Sequence, residues 1–398
     1  MGIFSKIAIL VGVLVLGAPL CAAAQAVTHT IDINPGLKAN TDFSSDPQAA
    51  IDQARQRVAA GDLAGAIRGL ATYTAAHPTE TAPARLLGDL YYRQGDLRMA
   101  ETTYKGILAF HSGDRETHNR LGSVFATQNR INDAISEFEN SLPGTDSIGD
   151  LVELHQQRGD LPAYKKRLEK AAFDQPTDSD AQTELAEAYA ALHDPANAVL
   201  FFARALDNAP NSLLALNGLG MAYMDERNYL EAVKTFAKCR GLDPRNFPCT
   251  LNTAATYLEM KDLAAAQVQL DTAHSMAPER PETQVNYGYL ADAQGNWKGA
   301  VSDYLRALLL SPYSREAYFD LGLDYDQHKL YSLAQSVLIK GITVAPEDGR
   351  MHFMLGKTYA DQHQNDLAIA QFKTAAASTD PTISSLAQEQ VASLLAKH

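Results

Sequence analysis

The chain has 398 residues, with 47 acidic against 34 basic side chains and a formal net charge of −13. Clustered lysine and arginine draw a protein to a phosphate backbone, so a chain this acidic is not expected to bind nucleic acid. Only three cysteines occur, with no second pair and no nearby histidine cluster to complete a zinc site, so neither a metal nor a cofactor is expected.

In chain order, the first feature is a leader. Lys6 precedes an apolar run over residues 7–20, and small residues follow with A-x-A spacing at Ala22–Ala24 and Ala24–Ala26. This is the three-part build of a secretory signal peptide. The run is short beside the roughly 20 apolar residues of a spanning helix, so cleavage after Ala24 or Ala26 is expected, with no transmembrane segment in the mature chain. Export to the periplasm or cell envelope of a bacterium follows, with full secretion as a variant. A lipoprotein built on Cys21 is disfavoured, because Pro19 and Leu20 stand where small residues are wanted. Residues 25–46 are polar, with Pro35, Gly36, Ser44 and Ser45, and read as a flexible lead-in.

From Pro47 one pattern returns every 34 residues, in segments opening at Pro47, Thr81, Arg115, Thr145, Ser179, Leu213, Phe247, Pro281, Arg315 and Gly349. With each opening residue counted as offset 1, offset 8 is Gly88, Gly122, Gly220, Gly288, Gly322 and Gly356. Offset 11 is Tyr or Phe, as at Tyr91, Phe125, Tyr223 and Tyr359. Offset 20 is Ala in nine segments, from Ala66 to Ala368, and offset 32 is Pro in seven, from Pro78 to Pro346. Apolar residues within Leu213–Asp225 and again within Tyr229–Leu242 recur at helical spacing, and Pro244 closes that unit. Gly220 and Ala232 are small enough for the two helices to approach closely, with Tyr223 and Phe236 filling the space beside the contact. The step from Arg115 to Thr145 is four residues short, and the unit 145–178 carries Val152, His155 and Tyr164 in place of the motif residues, so an irregularity near 142–160 is expected. The first unit, 47–80, lacks the Leu-Gly pair and reads as a cap. Residues 383–398, with Ile383, Leu386, Val391 and Leu395, read as a final capping helix with a polar outer face.

This period, with Leu-Gly, aromatic, Ala and Pro at fixed offsets over residues 47–382, resembles the tetratricopeptide repeat. The resemblance implies an all-α fold: a right-handed αα-superhelix of about ten helix pairs, whose first helices line a groove for an extended peptide or a partner helix. Groove offsets 2, 5, 9, 12 and 13 carry over onto Arg85, Asp89, Tyr92, Arg93, Asn119 and Ser123. Further along they fall on Asn217, Met221, Met224, Leu251, Leu258, Val285, Tyr289, Asp292, Phe319, Leu323, Asp326, Phe353 and Lys357. From the sixth repeat onward this strip is apolar and aromatic where it is expected to face solvent, which marks a binding surface. Met221 and Met224 give it a deformable floor. Asp292 and Asp326 share one offset and suit either a cationic ligand group or a solvated face, the latter being favoured. A carboxylate clamp is not expected. Asn252 and Asn286 occupy one of its offsets, but Leu251, Ala255, Val285 and Tyr289 stand where Lys and Arg would be needed.

Cys239 falls late in one second helix and Cys249 early in the next first helix, and those ends are expected to be neighbours. A disulfide is favoured over two buried thiols. None of the eleven histidines sits in HExxH spacing, and no GxSxG, Walker or dinucleotide-binding glycine pattern occurs. The reading is a non-catalytic interaction scaffold with a protein or peptide partner. An accessory subunit of an envelope enzyme or polysaccharide-export system, and a self-assembling structural protein, stand as alternatives.

Overall fold

The structure, a computed structural model, describes residues 43–142, 147–378 and 380–396. The leader, Cys21 and residues 25–42 of the lead-in lie outside them. Among the described residues the chain forms 21 helices and no strand. It divides after Arg158 into two units.

The first unit holds α1 (Pro47–Ala59), α2 (Leu63–Ala76), α3 (Thr81–Gln94), α4 (Leu97–Phe110), α5 (Arg115–Thr127), α6 (Ile131–Ser141) and α7 (Ser147–Arg158). The second holds α8 (Leu161–Asp174), α9 (Ser179–Ala191), α10 (Pro195–Asn208), α11 (Leu213–Asp225), α12 (Tyr229–Leu242), α13 (Phe247–Glu259), α14 (Leu263–Met276), α15 (Pro281–Ala293), α16 (Trp297–Leu310), α17 (Arg315–Gln327), α18 (Tyr331–Val344), α19 (Gly349–Asp361), α20 (Asn365–Ala375) and α21 (Pro381–Leu395). Within each unit consecutive helices pack on one another, and first helices also touch the next first helix, as α1 does α3, α11 does α13 and α17 does α19. This is an all-α solenoid of stacked helix pairs.

Short polar side chains start the helices. Asp62, Asp96, Asp194 and Asp262 each accept a hydrogen bond from the backbone three residues on, at 2.8 to 3.3 Å, and open second helices. Asp114, Ser212, Asn246 and Ser314 do the same for first helices. Each such cap contributes about 1 kcal/mol. Between the paired helices one residue at offset 15 always has positive φ: Gly61, Gly95, Asn129, Gly159, His193, Arg227, Lys261, Gly295, Lys329 and His363. The following N–H then reaches back to the helix it leaves, as in Asp96 N to Tyr91 O at 2.9 Å and Asp262 N to Tyr257 O at 2.9 Å. This left-handed closure satisfies the last carbonyl groups of the first helix and turns the chain into the second.

The core of each pair is a small residue against a large one. A Cβ on Gly220 would lie 2.4 Å from the ring of Phe236, and one on Gly288 would lie 2.3 Å from that of Tyr304. All nine alanines at offset 20 are fully buried. Interiors packed this closely leave no room there for an added methyl group. Tyr223, expected beside this contact, is only partly buried and packs at its margin.

The ends depart from expectation. Residues 43–46 belong to the fold. Asp46 caps α1, Tyr73 donates to the Ser45 carbonyl at 3.4 Å, and the Phe43 ring lies against Gly69. In α21 the buried residues are Ile383, Ala387 and Leu394, while Leu395 is exposed, because the helical phase carries 394 and not 395 to α19 and α20. Near the short repeat, α6 has 11 residues against 14 in α4, and residues 143–146 lie outside the described set. Cys239 and Cys249 are joined in a disulfide with Cα atoms 6.4 Å apart, tying the end of α12 to the start of α13.

Candidate functional site

The candidate residues lie on the first helices of the second unit, and their burial follows their offset. Leu251, Val285, Phe319 and Phe353 share offset 5 and are 1 %, 6 %, 8 % and 6 % exposed. They were expected on a solvent-facing strip, and the structure corrects this. Their side chains turn into the packed interior, as Phe353 does against Phe372 with ring centroids 5.3 Å apart. Offset 9 keeps partial exposure at Met221, Tyr289, Leu323 and Lys357. Met224 is likewise half-buried beside Met221, and the two pack against the cluster around Phe236.

The polar residues of the row are bonded to one another. Asn217 accepts from Asn252 Nδ2 at 2.9 Å, and its Oδ1 lies 3.5 Å from the Cys249 sulfur. Tyr289 donates to Asp320 Oδ2 at 2.6 Å, and Tyr304 donates to Asp292 Oδ2 at 2.9 Å. Asp326, 3 % exposed, accepts from Thr358 Oγ1 at 2.8 Å and from Lys357, which also donates to Asp361 at 2.8 Å. Neither Asp292 nor Asp326 is therefore a solvated side chain: the neighbouring helix supplies donors that hold both at the seam.

Several acceptors in this row have no donor. Asn252 and Asn286, both at offset 6, are 1 % and 2 % exposed. Their Oδ1 atoms have no hydrogen-bond partner among the described residues, nor does Asp324 Oδ2. Burial also reduces the negative charge of the row. It pushes the Asp320 carboxyl up to about 7, and with the charge of Asp292 it does the same to Asp324. Glu184 on α9 is raised to about 7 by burial and by the neighbouring Asp180 and Asp178, and Asp225 to about 6 by burial.

Asp320 and Asp324 were not singled out from the sequence. For Asp324 the available signal was an acid at offset 10, where the equivalent residues are Leu90, Val124, Ala188, Ala222, Thr256 and Leu290, while Asp320 shares offset 6 with Asn252 and Asn286.

In the first unit the carried-over residues form an ion-pair ladder. Arg85 pairs with Glu116 and with Asp114 at 3.5 Å. Asp89 accepts from Arg120 at 2.8 Å and from Tyr104 at 2.6 Å. Tyr92 and Thr127 hydroxyls meet at 2.9 Å, and Asn119 donates to Ser147 at 2.7 Å, while Ser123 donates to the Asn119 carbonyl at 3.2 Å. Burial lowers the Arg93 guanidinium from its ordinary value. Among the described residues no group of acids, histidines and cysteines is arranged to hold a metal ion, and no helix is long and apolar enough to cross a membrane.

Residues 85–147 and 150–212 match one tetratricopeptide-repeat family, and residues 214–246 match a second. Human tetratricopeptide repeat protein 6 is 26 % identical over 147 residues, which make up 37 % of this chain and 28 % of that protein, so the match spans under a third of the relative's length. Among solved structures, yeast Tom70 is similar at 13 % identity with a TM-score of 0.48, covering 88 % of this chain and 96 % of that one. MamA is similar at 23 % identity with a TM-score of 0.34, covering 39 % and 92 %. Over the matched residues the chain carries tetratricopeptide repeats, and the described residues around them form the same stacked helix pairs.

Proposed function

We propose that the first helices of the second unit bind an extended segment of a partner protein, and that the chain is a non-catalytic scaffold. The observation that carries this is the row of half-buried side chains on these helices, Met221 and Met224 on α11, Tyr289 on α15 and Leu323 on α17. These side chains give apolar residues of the segment a place to pack. The row is preformed, so binding does not have to order it. Replacing two of these side chains, Met221→Ala with Leu323→Ala, is expected to weaken a peptide selected on the wild-type protein about tenfold or more, with helicity unchanged. Unchanged affinity would reject the reading.

The setting we propose is outside the cytoplasm, in a bacterial envelope or secreted. The leader-like residues 1–26 support it, and so does the Cys239–Cys249 bridge, since disulfides persist in oxidising compartments. Sequencing the N-terminus of the chain recovered after expression with its leader is expected to give Gln25 or Val27 as the first residue. Recovery of an intact Met1 terminus would count against export by this route.

A further inference from the structure

Two junctions between first helices carry an acid at offset 12, and they are built differently. At the later one Asp326 of α17 faces Thr358 and Lys357 of α19, which give it a hydroxyl donor and a cation. At the earlier one Asp292 of α15 faces α17, where the same two offsets hold Asp324 and Leu323. A carboxyl and a hydrocarbon thus replace the hydroxyl and the ammonium. The other groups near the earlier junction are the His328 ring, 2.9 Å from the Asp324 carbonyl, and two phenols. Tyr304 donates to Asp292 at 2.9 Å and Tyr289 to Asp320 at 2.6 Å, the two rings meeting edge to face at 6.0 Å. The guanidinium of Arg350 is engaged by Asp348 through bonds of 3.1 and 2.6 Å. Asp324 is 5 % exposed and its Oδ2 has no partner among the described residues.

We propose that the α15–α17 junction is a proton-dependent joint, closed while Asp292 and Asp324 share one proton and loosened when both carboxyl groups ionise. Two buried carboxylates in contact repel, and a single shared proton turns the repulsion into a hydrogen bond. Asp324 holds on α17 the offset that Thr358 holds on α19, so the repeat sets its carboxyl toward Asp292 as Thr358 is set toward Asp326. Tyr304 on α16 and His328 in the turn after α17 act on Asp292, and Asp292 also acts on Asp320 of α17, which Tyr289 on α15, Glu316 on α17 and Arg350 on α19 face in turn. His328 is held against Trp297 by ring stacking at 4.1 Å.

The sign follows from the direction of the shifts. Burial raises Asp324 and Asp320 to about 7, above the ordinary carboxyl range near 4. Their contribution to stability is therefore complete below about pH 4 and is lost as pH rises through about 7. The joint is tight in mild acid and loose above neutrality. The inference concerns the free protein and stands whether or not the binding reading holds.

The test is amide hydrogen exchange of the intact chain between pH 4.5 and 8, corrected for the intrinsic exchange rate. In the wild type, protection of α15 amides is expected to fall by up to about tenfold per pH unit for each proton released, levelling off above pH 7, while α19 amides stay flat by comparison. Asp324→Asn keeps a donor toward Asp292 and cannot ionise, so it should lose most of the pH dependence contributed by the pair. Leu323→Lys restores the cation of the later junction, and its α15 protection should hold above pH 7. Wild-type protection independent of pH, or an unchanged slope in both variants, would overturn the proposal.

Discussion

Ten turns between paired helices place one residue each in the left-handed region, and six of those residues are not glycine. A side chain there crowds the following carbonyl, at roughly 1 kcal/mol or more per residue. Lys261, with φ of 63°, is such a position at the tip between α13 and α14, and it is exposed. Lys261→Gly is therefore expected to raise the unfolding free energy by about 0.5–1 kcal/mol, read from the urea midpoint at unchanged m-value. A loss on substitution would mean that the lysine side chain makes a contact outweighing the strain. Gly61, Gly95, Gly159 and Gly295 at the same offset were a readable sign of this turn in the sequence. Burial at single positions was harder to read. Asp320 looks like any helix-surface acid until α15 is laid beside α17 and Tyr289 reaches it.

The helices themselves were legible from spacing. Prolines and cap residues bracket them, alanine and glycine mark the tight contacts, and the structure has the corresponding helix pairs. What spacing alone did not give is which way offset 5 points. Leu251, Val285, Phe319 and Phe353 are apolar, and apolar residues at that offset close the seam between repeats instead of presenting it to a ligand. The polar occupants of offset 6 were passed over because they lack the basic partners of a carboxylate clamp, yet Asn252 and Asn286 carry the unsatisfied acceptors. The bridge between α12 and α13 is an element-scale feature with its own consequence. Closing a loop of sequence separation 10 restricts the unfolded chain, so Cys239→Ala with Cys249→Ala is expected to lower stability by about 3 kcal/mol. The loss should vanish when wild type and variant are compared under reducing denaturation, and a variant as stable as oxidised wild type would show that the bridge adds nothing.

Each helix pair buries its face only against its neighbours, so every unit presents an open row of first helices and an outward face of second helices. The two rows differ in chemistry. The second helices leave Leu305, Leu309 and Ile339 exposed, and the first helices hold the amide and carboxyl acceptors. The account assigns binding to the first-helix row. The measurement that tests this most directly is the affinity of one selected peptide for three proteins: wild type, the Met221→Ala and Leu323→Ala double variant, and a Leu305→Ala and Leu309→Ala control on the outward face. A loss of about tenfold or more in the first variant with the control unchanged is the predicted result. An unchanged first variant with affinity lost in the control would place the partner on the second helices and contradict the account.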